Sequence, residues 1–432
     1  MNFLRKKMIK ELLENKITKN AGWLIAGKIG QMAINFLAGL LTARYLGPSN
    51  FGLISYAAAY TGFFASVCNL GINSVILREF AENPGEEGKI LGTSMGLRAF
   101  SSFLSAAAIT ALGFLINPED ELASAVVALS SLGLIFEISG LFAYWFQSKL
   151  ESKISALAAF LAYAITACYK IYLIVTGKSV IFFALAASVD YIFAGIFLFI
   201  AYKRNGGGKL FFSANYAKYI LDKSKHFILP GVMVAVYSQT DKIMLREFFG
   251  ETETGFYSIA FSLSAVWCFV LSAAIDSFHP SIVESAGNEE LFGKINRRLY
   301  AIVFWLSVSV SVFFCIFGEP IIKILYGEAF LPAAKILRII TWQTAFSYLG
   351  VARNAWIVCK NRQKKLVLVY FFSAVENVLL NFLLIPSFGG AGAAAASVAA
   401  QIFSSVLVPV FVADFRENAE LIGNAILLKD LK

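Results

Sequence analysis

Residues 21–57 read AGWLIAGKIGQMAINFLAGLLTARYLGPSNFGLISYA, and the fold follows from how this stretch divides. Its apolar run from Ala21 to Leu46 reaches ~39 Å as a helix at ~1.5 Å per residue, enough to cross a ~30 Å hydrocarbon core with some tilt. Lys28, Gln31, Asn35 and Thr42 interrupt the run. Their spacing puts all four on one helical face. Gly47-Pro48 stops the helix, and a second apolar run starts at Phe51. The stretch therefore predicts a membrane span, a polar stripe within it, and a tight turn into the next span.

Composition carries that reading to the whole chain. The 432 residues are 58% hydrophobic and 15% charged, with mean hydropathy +0.69. A soluble surface of this size needs more charge, so an all-α polytopic membrane protein is expected. The 41 Phe and 17 Tyr suit lipid-facing surfaces and interfacial belts. The net charge of +9 is read as loop Lys and Arg, because no basic soluble domain exists to bind nucleic acid. Cys68, Cys168, Cys268, Cys315 and Cys359 lie within or at the ends of apolar runs and form no CxxC pair, which makes them packing residues. His226 and His279 have no partner motif. No metal or cofactor is expected. The sequence has no Walker A, G-x-S-x-G or H-E-x-x-H motif and no loop long enough for a catalytic domain, so an enzyme is not expected. The first apolar run is too long for a signal-peptide core, so no cleavable signal is expected.

About twelve apolar runs follow one another, near 22–46, 51–77, 91–116, 122–147, 154–176 and 179–202, then 226–249, 254–279, 299–318, 331–358, 365–386 and 390–413. Basic residues gather in alternate loops: Arg78 and Lys89; Lys149 and Lys153; Lys203, Arg204 and Lys209; Lys294, Arg297 and Arg298; Lys360, Arg362 and Lys365. The positive-inside rule then places both termini in the cytoplasm, and a multi-pass protein of the cell (inner, cytoplasmic) membrane is expected. The expected organisation is an amphipathic cytoplasmic leader over 1–20, an N-terminal lobe over 21–202, a basic linker over 203–225 containing Gly206-Gly207-Gly208, a C-terminal lobe over 226–413 and a cytoplasmic tail over 414–432.

The two halves repeat. Gly47-x4-Gly52-x2-Ser55-x-Ala57 aligns with Gly250-x4-Gly255-x2-Ser258-x-Ala260. Trp145-x3-Lys149-x3-Lys153 aligns with Trp356-x3-Lys360-x3-Lys364, and Ala186-Ala187-Ser188-Val189 with Ala395-Ala396-Ser397-Val398. Six spans per half keep both halves in one orientation. Two six-helix lobes related by a pseudo-two-fold along the membrane normal, with a central cavity, are therefore expected.

Ionisable residues inside the runs include Lys28, Arg98, Glu137, Lys170, Asp190, Asp241, Lys242, Asp276, Arg353 and Glu376. Each would cost ~2.5–3.5 kcal/mol facing lipid at a helix centre, so they are expected to face water or one another. Run 1 carries the Lys28 stripe and run 2 places Gly62, Ser66, Asn69 and Asn73 on one face. Run 7 groups Ser238, Gln239, Asp241 and Lys242, and run 8 aligns Ser258, Ser262, Ser272 and Asp276. These four spans are repeat partners and would line a cleft. The competing reading is structural: Asp241 neutralised by Lys28 or Lys242, small-residue faces packing helices, and Arg98 and Arg353 snorkelling from span ends.

The segments ARYLGPSNFGLISYA, YSQTDKIMLREFFGETETGFYSIA and GGAGAAAASVAAQI resemble the polysaccharide and oligosaccharide (O-antigen type) flippases of the multidrug/oligosaccharidyl-lipid/polysaccharide exporter superfamily. The resemblance runs from about Lys19 to Val412. It implies a two-lobed alternating-access transporter that moves polyprenyl-pyrophosphate-linked oligosaccharide from the inner to the outer leaflet for cell-surface polysaccharide export. It implies basic cavity residues for the pyrophosphate at Lys28 and Lys242, and an acidic match at Asp241. Lipid II flippases carry two more spans, which points away from lipid II. Gln31, Asn35, Asn69, Asn73, Ser238 and Gln239 would meet sugar hydroxyls, and Asp241, Asp276 and Glu376 are candidates to carry a coupling proton or cation. Partners implied are the lipid-linked oligosaccharide, membrane lipid, and a glycan polymerase and glycosyltransferases of the same pathway. A cation-coupled multidrug or metabolite exporter of the same fold is the alternative. A membrane-embedded glycan polymerase would be expected to need a large outer loop, which the sequence lacks.

Overall fold

A computed structural model of the chain describes residues 16–429, with the side chains of 16–21, 24–26 and 364 left aside. Most of the leader expected over 1–20 lies outside the described residues, as do 430–432 of the tail. Among the described residues every regular element is helical. In chain order these are α1 (Lys16–Cys68), α2 (Asn73–Glu82), α3 (Glu87–Ile116), α4 (Glu121–Phe136), α5 (Leu141–Ser148), α6 (Ser152–Val175), α7 (Val180–Ala184), α8 (Ala186–Arg204) and α9 (Ala214–Ala265). Then come α10 (Cys268–Glu284), α11 (Glu289–Tyr326), α12 (Ala333–Ile340), α13 (Gln343–Cys359), α14 (Leu366–Phe388), α15 (Gly390–Ile402), α16 (Val408–Phe411) and α17 (Arg416–Ile426).

Nine helical stretches among the described residues are long and apolar enough to cross a membrane. Two of them, Gly27–Glu82 with 56 residues and Ala214–Gly287 with 74, far exceed the ~20 residues one crossing needs. Each leaves helical geometry at a glycine with positive φ, Gly47 (φ 70°, ψ 177°) and Gly250 (φ 80°, ψ −175°). Residues with side chains rarely adopt that conformation. The Gly-Pro stop read from sequence is thus a sharp break in an otherwise continuous helix, and each long stretch supplies two crossings. Ala333–Cys359, interrupted at Thr341-Trp342, supplies another. The chain is an all-helical membrane protein with the spans the hydropathy reading expects.

The spans are less regular than hydropathy implies. Run 51–77 breaks over 69–72, where Leu70 and Gly71 have positive φ (46° and 66°). The single face expected to join Asn69 to Asn73 is therefore interrupted, and Asn73 opens a separate helix. Gly71 is required at the break: its φ is positive, and a Cβ there would lie 2.6 Å from the Ser224 carbonyl oxygen. Run 122–147 breaks at a 3-10 turn over Glu137–Gly140. In the second half, the corresponding runs break between Ala265 and Cys268 and between Ile340 and Gln343. Corresponding runs are thus broken in both halves, though not at the same register.

The described chain forms two compact units. The first holds residues up to Tyr45 and Tyr60–Val232, the second Leu46–Ala59 and Met233 onward. The lobes were expected to part within 203–225, yet the chain changes unit inside helices.

In the first unit, Trp145, Phe142, Phe146 and Tyr202 centre the core, with the Trp145 and Tyr202 rings 4.8 Å apart. Only residues 205–213 of the expected linker are non-helical. They lie along α3, with Phe211 N–H donating to Gly88 O (3.4 Å) and Ser213 N–H to Thr93 Oγ1 (3.2 Å). From Ala214 the chain is helical, because Ala217, Ile220 and Ser224 offer a buried face at helical spacing. Tyr216 and Tyr219 pin that helix by donating to the buried Glu79 carboxylate (2.7 and 3.1 Å). Burial, then the Glu79 carboxylate, pushes the Tyr216 phenol above its ordinary range.

In the second unit the two repeat turns meet. A Cβ on Gly52 would fall 1.7 Å from Glu251 O, and one on Gly255 would fall 2.1 Å from Pro48 O. Only glycine permits that backbone approach at either position. Tyr56 OH adds a bond to Glu247 (2.8 Å). The tail is not a loose extension: in α17, Asn418 Nδ2 donates to Tyr300 OH (2.7 Å), and Leu421 and Ile422 are buried. Just before it, Lys365 and Arg362 bond the Asp414 carboxylate and hold it below the usual range.

Candidate functional site

The second unit buries one carboxylate among uncharged groups. Asp241 on α9 is 3% exposed. Its Oδ2 accepts from Tyr257 OH at 2.6 Å and from Ser397 Oγ, and its Oδ1 accepts from Asn381 Nδ2 at 2.5 Å. Asn381 also donates to Asn377 Oδ1 (3.1 Å), one turn away on α14. Local sequence explains the geometry. The break at Gly250 lets Asp241 and Tyr257, on either side of it in α9, meet. Asn377 and Asn381 share a face of an otherwise apolar α14. The start of α15 is fixed where the Gly390 N–H donates to Glu253 Oε1 (2.9 Å), a carboxylate on a helix N-terminus.

Three neutral donors satisfy a carboxylate without cancelling its charge. Asn377 Nδ2 and Asn381 Oδ1 are buried without a partner among the described residues. Such a site can take up a proton or a small cation. The hydrogen bonds of Asp241 go to a phenol, a hydroxyl and an amide, while the adjacent Lys242 acts on it through space. Lys242, next in sequence, turns its ammonium over the Phe261 ring, 5.2 Å from the centroid.

The other expected site residues divide. In the second unit Ser238 and Gln239 sit beside Asp241, half-buried, with Gln239 Nε2 donating to Ser238 Oγ (3.4 Å). Asp276 is exposed and apart from this hydrogen-bonded cluster. Glu376 is half-buried, and its Oε2 is buried without a partner. In the first unit Lys28 and Asn35 are exposed and Gln31 is half-buried. Asn69 lies in the break after α1 with its amide oxygen buried and unpartnered. Asn73 is engaged already, accepting from Arg98 Nη1 (3.3 Å). Arg98 does not snorkel. It is 3% exposed and bonds Glu137 at 2.7 Å, because an acid across the helix pair serves it better than a route to water. Arg353 is buried too, donating to Ser404 O (3.2 Å).

Tyr257, Asn377, Asn381 and Ser397 were not singled out as site residues. Two asparagines one turn apart in the run 365–386 were the signal available for α14.

The sequence pattern of the polysaccharide biosynthesis protein family matches residues 17–286, more than half of the chain. The chain belongs to that family. As a member of the polysaccharide biosynthesis protein family, it is a multi-pass membrane protein of the flippase and transporter kind, not an enzyme. It is 21% identical over 405 residues to a protein described as a probable low-salt glycan biosynthesis flippase, Agl15, of Haloferax volcanii, covering 91% of this chain and 82% of that one. Its fold resembles the lipid II flippase MurJ in an inward closed conformation (TM-score 0.73, 14% identity, 94% of this chain and 91% of that one). It also resembles an inward-facing multidrug resistance MATE transporter of the MOP superfamily (TM-score 0.70, 15% identity, 93% and 98%). The fold is the two-lobed one of that superfamily.

Proposed function

We propose that this chain is a flippase that carries polyprenyl-pyrophosphate-linked oligosaccharide from the inner to the outer leaflet by alternating access, for cell-surface polysaccharide export. One observation carries the choice of an anionic cargo. Lys242 keeps its ammonium on an aromatic face while the hydrogen bonds of the neighbouring Asp241 come from uncharged donors, which leaves the ammonium's own hydrogen bonds for a pyrophosphate. Lys28, exposed on α1, is the first unit's cation in this reading, at a different repeat position. Gln31, Asn35, Asn69, Ser238 and Gln239 supply partners for sugar hydroxyls. Asn73 adds only what its bond to Arg98 leaves over. Family membership and the likeness to a glycan flippase support this reading.

Asp241 is the coupling group, ahead of Glu376 and Asp276, because burial among donors makes its charge state matter most. The protein sits in the inner membrane with both termini cytoplasmic, on the charge bias of its loops, and works beside the glycosyltransferases and polymerase of its pathway. A cation-coupled drug or metabolite exporter is the second reading, favoured by the Asp241 site and the likeness to a multidrug transporter.

The test is flipping of a fluorescent polyprenyl-pyrophosphate oligosaccharide in proteoliposomes. Lys242→Ala and Lys28→Ala are expected to abolish it while the protein still inserts and elutes as folded. Full flipping by both variants would remove the anion-binding mechanism. Drug efflux lost in Asp241→Asn, with no glycan movement by the parent protein, would favour the exporter.

A further inference from the structure

Two grooves of similar size open beside α8 in the first unit, and they differ in charge. One, of about 440 Å³, is lined by Met95, Phe136, Phe142, Ile196, Phe199 and their neighbours and carries no ionisable group but Tyr191. The other, of about 450 Å³, runs between the start of α6 and the end of α8. Its floor is apolar, formed by Leu157, Leu161, Phe197 and Ile200, and its rim carries Lys153 and Arg204. Leu157, Leu161 and Ile200 are each more than 40% exposed.

The chemistry changes along this groove in one direction. Lys153 opens α6 and Arg204 closes α8, so both cations stand at the same end of an antiparallel pair. Asn205 lies beside them. The exposed Trp23 ring lies 5.0 Å from the Lys153 ammonium. Exposed Trp, Lys and Arg together mark the level of lipid headgroups, and the apolar floor continues from there to the depth of acyl chains. The two cations make no ion pair among the described residues.

We propose that this groove binds one anionic membrane phospholipid, its phosphate between Lys153 and Arg204 and an acyl chain along Leu157, Leu161 and Ile200. Basic clefts between membrane helices select acidic headgroups, each cation contributing about 1 kcal/mol near the surface. The volume falls within the ~300–1,000 Å³ of ordinary ligand sites. The uncharged groove on the other side of α8 takes acyl chains without choosing a headgroup. This assignment does not depend on which cargo the protein flips.

The experiment is native mass spectrometry of the full chain in detergent, titrated with phosphatidylglycerol or phosphatidylcholine. The wild type is expected to retain one tightly held phosphatidylglycerol and to prefer it over phosphatidylcholine. Lys153→Ala and Arg204→Ala should each weaken that binding about fivefold, and the double variant about twenty-five-fold. The charge-preserving pair Lys153→Arg with Arg204→Lys should keep it, which separates loss of charge from loss of fold. Ile196→Ala in the uncharged groove should leave it unchanged. Equal binding of the two lipids, or undiminished phosphatidylglycerol on the double variant, overturns the proposal. So does stoichiometric displacement by undecaprenyl pyrophosphate, which would give the groove to cargo.

Discussion

The motif Ala-Ala-Ser-Val occurs once in each half, and its two serines have opposite fates. Ser397 donates to the buried Asp241. Ser188 is equally buried, and its hydroxyl has no partner among the described residues. The position corresponding to Asp241 in the first half, at the spacing of the repeated turns, is Ala38. The first unit answers the buried Arg98 with another charge, Glu137 at 2.7 Å, and leaves its other buried charge, Glu79, to the Tyr216 and Tyr219 phenols near the chain's exit from the unit. An ion pair cancels and holds helices in place. A carboxylate held by a phenol, an amide and a hydroxyl has no opposite charge among its hydrogen-bond partners. Within the membrane runs, one repeat unit thus pairs its buried arginine with an acid, and the other surrounds its buried aspartate with uncharged donors.

The sharpest way to break this contrast is Arg98→Ala. It strands Glu137 and is expected to cost about 3–5 kcal/mol, read as a lower thermal unfolding midpoint in detergent, with part restored by adding Glu137→Gln. A midpoint unchanged by Arg98→Ala would mean the pair is not structural. Next in size is Asp241→Asn, which keeps shape and removes charge. The protein should fold and bind cargo yet lose 5- to 150-fold in the response of transport to a proton or sodium gradient, the range of ordinary coupling energies of about 1–3 kcal/mol. The serines give the smallest and most direct comparison. Ser397→Ala removes one bond to a charged group and should weaken the site by about 1.5–3 kcal/mol. Ser188→Ala should change stability and transport by less than about 0.5 kcal/mol. Equal effects from the two would erase the distinction.

The sequence made the spans legible because a lipid environment demands long apolar runs, and a run such as 91–116 announces itself without tertiary information. The breaks at 69–72, 137–140 and 341–342 were hidden inside those runs. They sit against distant residues, as Gly71 does against Ser224. The ionic site was half visible. Asp241 stood out as a charge in a membrane span, but its partners lie 16 to 156 residues away, and nothing local to Asp241 names them. Arg98 was misjudged for the same reason: its acid is 39 positions on.

The meeting of Gly52 with Glu251 and of Gly255 with Pro48 ties the two halves through their repeated turns. The contact is reciprocal: each half presents the same glycine to the same turn of the other. That is how an isologous interface is built, where one patch serves both partners of a two-fold dimer. A side chain at either glycine would therefore push on the other half's turn, so the two positions guard one shared contact.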